Sequence, residues 1–211
     1  GSANSYTYNY WSSPVSLINS IENNKEFYLK EVLFDGTIPN ASSRNISFGP
    51  KNDPYYSDGG SMSELKLSSY WLWRFVNTQT NDYTNWEWVG SGNESGSKKL
   101  HVTEGYSMKG TSGDKAIISA QNYVFLGKPN NAPISNGIRG GDLIHTNFEV
   151  SFDSDVNPRI SLAGNPFPSA IDAHTFIDDN ENSINGQLYF WEHWGGDSHV
   201  LKSYQGGYGI L

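Results

Sequence analysis

Apolar and polar positions along this chain recur mostly with the two-residue period of strands. Trp86-Glu87-Trp88-Val89 alternates outright, which places both tryptophans on one face because successive strand side chains point oppositely. Residues 69–76 are apolar on both faces except at Arg74, and residues 27–34 are apolar and aromatic with Lys30 and Glu31 interrupting. Further strands are predicted over 116–119, 123–126, 147–152, 159–163, 187–192 and 199–204. Turn clusters separate them: Gly90-Ser91-Gly92-Asn93, residues 110–114, Lys128-Pro129-Asn130-Asn131 and Gly140-Gly141-Asp142. Helical spacing is confined to residues 16–24, through Leu17, Ile18 and Ile21, and to a turn over 169–173 that Pro168 can open. Residues 39–61 are long and polar and read as an extended surface loop. With no βα alternation, linker or repeat, the pattern predicts one all-β, antiparallel domain over residues 1–211. Its architecture would be a β-sandwich or jelly roll with at most one or two short helical turns.

Composition narrows the class. Only 36% of residues are apolar and 17% charged, the balance being Asn, Ser and Gly. Aromatics make up 14%, with 7 Trp, 13 Tyr and 10 Phe, so a core can be assembled from a few large side chains. A chain this aromatic does not fit the profile of disorder. The net charge of −8 disfavours a phosphate backbone as partner, and no basic run exceeds Lys98-Lys99, so nucleic acid is not expected. No apolar run approaches the ~18 residues of a membrane span. Cysteine is absent, which excludes disulfides, thiolate metal sites and a Cys nucleophile. That absence suits an oxidising exterior, where a free thiol is a liability. Gly1-Ser2 reads as an expression scar, behind which an export signal would have been removed. A secreted or cell-surface location is the expectation.

Five ordered segments carry a family resemblance. They are Tyr8-Asn9-Tyr10-Trp11-Ser12-Ser13-Pro14, Glu104-Gly105-Tyr106-Ser107-Met108-Lys109-Gly110-Thr111, Gly164-Asn165-Pro166-Phe167-Pro168-Ser169-Ala170-Ile171-Asp172, Tyr189-Phe190-Trp191-Glu192-His193 and Tyr204-Gln205-Gly206-Gly207-Tyr208. In this order they resemble a domain that recurs in large secreted and surface proteins of the Bacteroidetes, often clients of type IX secretion. The resemblance covers most of the chain and implies a β-rich module of a larger exported protein, with no particular activity. The family pattern continues past Gly-Gly-Tyr with another glycine-and-aromatic strand region, leaving open whether its final strands lie within a chain that ends at Leu211.

Three groups of residues could carry chemistry. Trp73, Trp86, Trp88 and Trp194 could stack on sugar rings, whose C–H faces are apolar. The plainer reading is core packing, with Trp194, beside Gly195-Gly196-Asp197 in an expected loop, the best candidate for exposure. Asp178, Asn180 and Asn182 alternate as oxygen donors of the kind Ca²⁺ takes, although no EF-hand glycine or terminal Glu follows, and an ordinary Asn/Asp turn explains them as well. Asp153-Ser154-Asp155 is a weaker version. His193 and His199, with Glu192 and Asp197 between, could serve zinc or acid–base work, but adjacent Glu192 and His193 face opposite ways on a strand. Glu87, Glu104, Glu149 and Glu192 could supply a glycosidase pair if two stand at the right separation. No Gly-x-Ser-x-Gly, His-Glu-x-x-His or P-loop motif is present. The chain therefore reads as a monomeric, non-catalytic binding module for polysaccharide or cell-surface glycan, or an adhesive one. A polysaccharide-active hydrolase or lyase, and a structural spacer of an adhesin, are the alternatives.

Overall fold

A computed structural model describes residues 5–22, 24–38, 40–58, 64–75, 78–79, 85–111, 122–131, 159–181, 184–196 and 198–211. Its strands are β1 (Tyr8–Trp11), β2 (Val15–Ser16), β3 (Leu33–Asp35), β4 (Arg44–Asn45), β5 (Ser47–Gly49), β6 (Lys66–Ser68), β7 (Trp73–Arg74), β8 (Thr78–Gln79), β9 (Glu87–Trp88), β10 (Tyr106–Lys109), β11 (Tyr123–Phe125), β12 (Lys128–Pro129), β13 (Arg159–Ile160), β14 (Tyr189–Gly195) and β15 (Gln205–Ile210). One α-helix, α1 (Ala173–Asp179), and short 3-10 turns complete the described residues. Among the described residues, every strand pairing is antiparallel except β5 with β6, which run parallel. The fold is all-β. No described helix is long and apolar enough to cross a membrane.

Two sheets face each other over the core. One has the order β1-β10-β7-β9, the other β11-β3-β4. Along β10 the two-residue period sends Tyr106 and Met108 into the core and Ser107 and Lys109 the other way. Trp11 is the register partner of Tyr106 and packs against Tyr123 and Phe125 of the opposite sheet. Leu33, Leu65, Leu67, Leu72, Val89 and Leu100 fill the space between.

Several expected elements are broken by local hydrogen bonds. The strand predicted over 27–34 contains a 3-10 turn at Leu29–Glu31, because the Glu31 carboxylate accepts from the Tyr28 amide at 2.8 Å and reverses the chain. In 69–76, the Ser68 hydroxyl accepts from the Tyr70 amide and the Trp71 indole donates to Pro54 O, so a 3-10 turn precedes the two-residue β7. Residues 16–22 form the end of β2, a turn and bends rather than a helix, with Leu17 against the core and Ile18 and Ile21 exposed. The expected surface loop at 39–61 holds β4 and β5 and buries Ile46. The strand expected at 199–204 lies later, at β15. Helix α1 starts where the expected turn ends, capped by the Asp172 carboxylate accepting from Thr175 N at 2.8 Å. The strands predicted at 116–119 and 147–152 lie outside the described residues.

Candidate functional site

The C-terminal hairpin has two aromatic faces. β14 and β15 pair in register Tyr189↔Ile210, Phe190↔Gly209, Trp191↔Tyr208, Glu192↔Gly207 and His193↔Gly206. Alternation puts Phe190, Glu192 and Trp194 on one face and Tyr189, Trp191 and His193 on the other. The outward face is open, with Phe190 55% and Trp194 62% exposed. The glycine pair explains the packing on both sides. A Cβ on Gly207 would sit 2.9 Å from the Trp194 ring, and one on Gly206 would collide with the Trp191 ring. Each tryptophan thus lies against the backbone of the facing strand, Trp191 inside and Trp194 outside. Gly196, at φ +86°, turns the chain away after β14.

The inward face docks on the outer side of the four-stranded sheet. Tyr8 and Tyr10 of β1 are the register partners of Lys109 and Ser107, so all four share that side. The Tyr208 and Tyr10 hydroxyls lie 3.2 Å apart, and the Tyr204 ring packs edge-on to Tyr8 at 5.4 Å.

At the end of this contact lies a polar chain enclosed by rings. His199 Nε2 lies 3.0 Å from Asp58 Oδ1 and 3.2 Å from Oδ2. With that nitrogen donating to the carboxylate, Nδ1 is the acceptor for Lys109 Nζ at 3.2 Å. Lys109 is 2% exposed, and its Nζ lies 3.6 Å from the Trp71 ring centroid and 4.8 Å from those of Tyr8 and Tyr204. His199 stacks on Trp71 at 5.4 Å and meets Tyr6 and Tyr55 edge-on. Burial pushes the Lys109 ammonium down to about 7, against the pull of Asp58. Burial also lowers His199, and it raises the Tyr8 and Tyr204 phenols, so both stay neutral.

The residues singled out from sequence divide between places. Trp73 is the cross-strand partner of both Ser107 and Trp88, so these tryptophans share the outer face of the four-stranded sheet. Trp88 offers no free ring there: it is 7% exposed, donates to Ser69 O at 2.6 Å and has Lys51 Nζ 4.2 Å from its centroid. Trp86 is half-buried against Tyr10 and Phe75, and Trp73 is half-buried with its indole donating to Tyr70 O. Trp194 is on strand β14, not in a loop, and faces away from that group. Asp178 falls in the last turn of α1 and Asn180 caps it, with Asn180 Nδ2 donating to Phe176 O at 2.8 Å. Two positions apart on a helical turn is ~200° around its axis, so these oxygens do not line up as in an alternating loop. Asn182, Asp153-Ser154-Asp155, Glu149 and Asp197 lie outside the described residues. Glu87 and Glu104 do meet, but around a cation: Arg74 donates to Glu87 Oε2 at 2.6 Å and to Glu104 Oε2 at 2.9 Å, and Lys98 also bonds Glu87.

The Asp58–His199–Lys109 chain was not legible beforehand, because its members are separated by 51 and 90 positions. Of its members only His199 was singled out from the sequence, and there with His193 and not with Asp58 or Lys109.

Residues 56–208 match the model of a family described as Domain of unknown function (DUF8693). The chain belongs to that family. No curated protein and no solved structure matches it. The span matched to the DUF8693 family holds Asp58, Lys109, His199 and the hairpin up to Tyr208, whereas β1, which completes the four-stranded sheet, precedes it.

Proposed function

We propose that the protein is a non-catalytic binding module of a secreted or surface protein, which holds polysaccharide or cell-surface glycan on the outward face of the β14–β15 hairpin. The observation that carries this reading is the row Phe190, Glu192, Trp194 on one face, two open rings flanking a carboxylate. Apolar C–H faces of sugars stack on such rings, and the carboxylate accepts from hydroxyls along the sugar rim. Strung along one strand, the two rings suit an extended sugar chain. Seating on Gly207 restricts the Trp194 indole in advance, which lowers the ordering cost of binding. The commitment of Glu87 and Glu104 to Arg74 favours binding over hydrolysis, because neither carboxylate is free to act as acid or nucleophile.

Affinity electrophoresis in gels cast with neutral and acidic polysaccharides tests the reading. Retardation on at least one glycan is expected, with Trp194→Ala weakening it about tenfold, the equivalent of 1.4 kcal/mol. Absence of retardation on every glycan, or retardation that Trp194→Ala leaves unchanged, overturns it.

A further inference from the structure

Among the described residues, the hairpin contributes nothing to the buried apolar core; Tyr123, Phe125 and Phe167 are the side chains beyond Met108 that pack against it. Its attachment therefore rests on the contacts of its inward face and of the segment between its strands. Among these, the Asp58–His199–Lys109 chain is the most enclosed. It gathers Asp58 and Tyr55 from the loop after β5, Trp71 from a 3-10 turn, Lys109 from β10, Tyr8 from β1 and Tyr6 from just before it, and His199 and Tyr204 from the hairpin connection.

We propose that the Asp58–His199–Lys109 chain is an acid-release latch, which docks the hairpin and its aromatic outer face on the four-stranded sheet while His199 is neutral. The proposal stands whether or not that outer face binds glycan. Its basis is the hydrogen-bond polarity. His199 Nε2–H is used on Asp58, so Nδ1 must carry a lone pair to accept from Lys109. A second proton on the ring removes that acceptor and aims an N–H at the ammonium 3.2 Å away. Asp58 opposes this, since its charge favours both cations, and the Trp71, Tyr8 and Tyr204 rings favour charged Lys109. Tyr6 and Tyr55 meet the imidazole edge-on. No further anion faces the pair among the described residues in contact with it.

The direction follows from linkage. Both bases sit below their ordinary values when docked, so the released state takes up protons more readily. The contribution of His199 is fully present above its ordinary 6.5 and is lost as pH falls through the shifted value. That of Lys109 declines from 10.5 down to about 7. Acid loosens the latch on both counts.

Hydrogen exchange of the full chain between pH 8 and 5, corrected for intrinsic rates, reads the event. The β14–β15 amides should lose protection at least tenfold as pH falls below 6.5, while the β1–β10 ladder keeps its own. His199→Gln, whose amide can still donate to Asp58 and accept from Lys109 without titrating, should flatten that response. Lys109→Met, which removes the facing cation, should shrink it. Unchanged hairpin protection across the range in the unsubstituted protein overturns the latch, as does a full acid response in whichever of the two variants folds.

Discussion

The four-stranded sheet and the C-terminal hairpin are both antiparallel and both rich in aromatics, yet they use them in opposite ways. Around the sheet, Phe27, Leu33, Leu65, Leu67, Leu72, Val89 and Tyr106 have no exposure at all, and even the second face of β10 is covered. Along the hairpin, Tyr189, Phe190, Trp194, Tyr208 and Ile210 all remain exposed. Apolar area removed from water stabilises at roughly 25 cal/mol per Å², so the first region carries the stability. The second keeps its rings available and is held by edges, hydroxyls and one enclosed polar chain. Aromatic content alone does not distinguish core from surface; register does.

Substitutions can break that contrast. Leu72→Ala, at a site with 0% exposure, should cost about 3–5 kcal/mol in urea unfolding, with the cavity adding to the lost transfer energy. A cost below about 1 kcal/mol would mean that the sheet is not the stabilising region. Arg74→Ala comes next. It leaves Glu104, 4% exposed, facing no cation, and should cost about 2–3 kcal/mol, below the range for a fully buried pair because Arg74 keeps some solvent contact. Burial works to raise the Glu87 carboxyl, but Lys98 and Arg74 together hold it below the usual range. Its share of stability is present above its ordinary pKa and lost as pH falls through the lowered one, so Arg74→Ala should also flatten the acid limb of the stability curve.

Gly207→Ala sharpens the contrast from the other side. The added methyl occupies the space of the Trp194 ring and must displace it, for about 1 kcal/mol in stability but most of the glycan retardation. Retardation equal to that of the unsubstituted chain would mean that the seat does not orient the ring. Trp194→Ala itself should change the unfolding midpoint least, within about 0.5 kcal/mol, since that side chain covers little. A large loss would place Trp194 in the supporting structure and not on a binding face.

What the chain alone determined is the class of the fold: period-two alternation, frequent turn clusters and scarce helical spacing need no partner to be read, and mostly antiparallel sheets with one short helix among the described residues follow. Trp86 and Trp88 could be assigned to one face for the same reason, since alternation is a local rule; that Trp73 joins them took the pairing of β7 with β9. Tertiary structure decided the rest. Whether Trp88 or Trp194 is open depends on what covers each strand: Ser69 and Lys51 lie on Trp88, whereas among the described residues Trp194 rests on Gly207 and stays 62% exposed. The breaks in residues 27–34 and 69–76 needed side chains to find particular amides, at energies too small to outweigh a strong apolar pattern on paper. Gly206-Gly207 stood in the sequence only as part of the Tyr204–Tyr208 segment, and the facing strand turned the pair into a seat for two indoles. Lys109 was not singled out in the sequence; folding buried it, because the C-terminal segment returned over that face with His199, and sequence separation carries no record of such a closure.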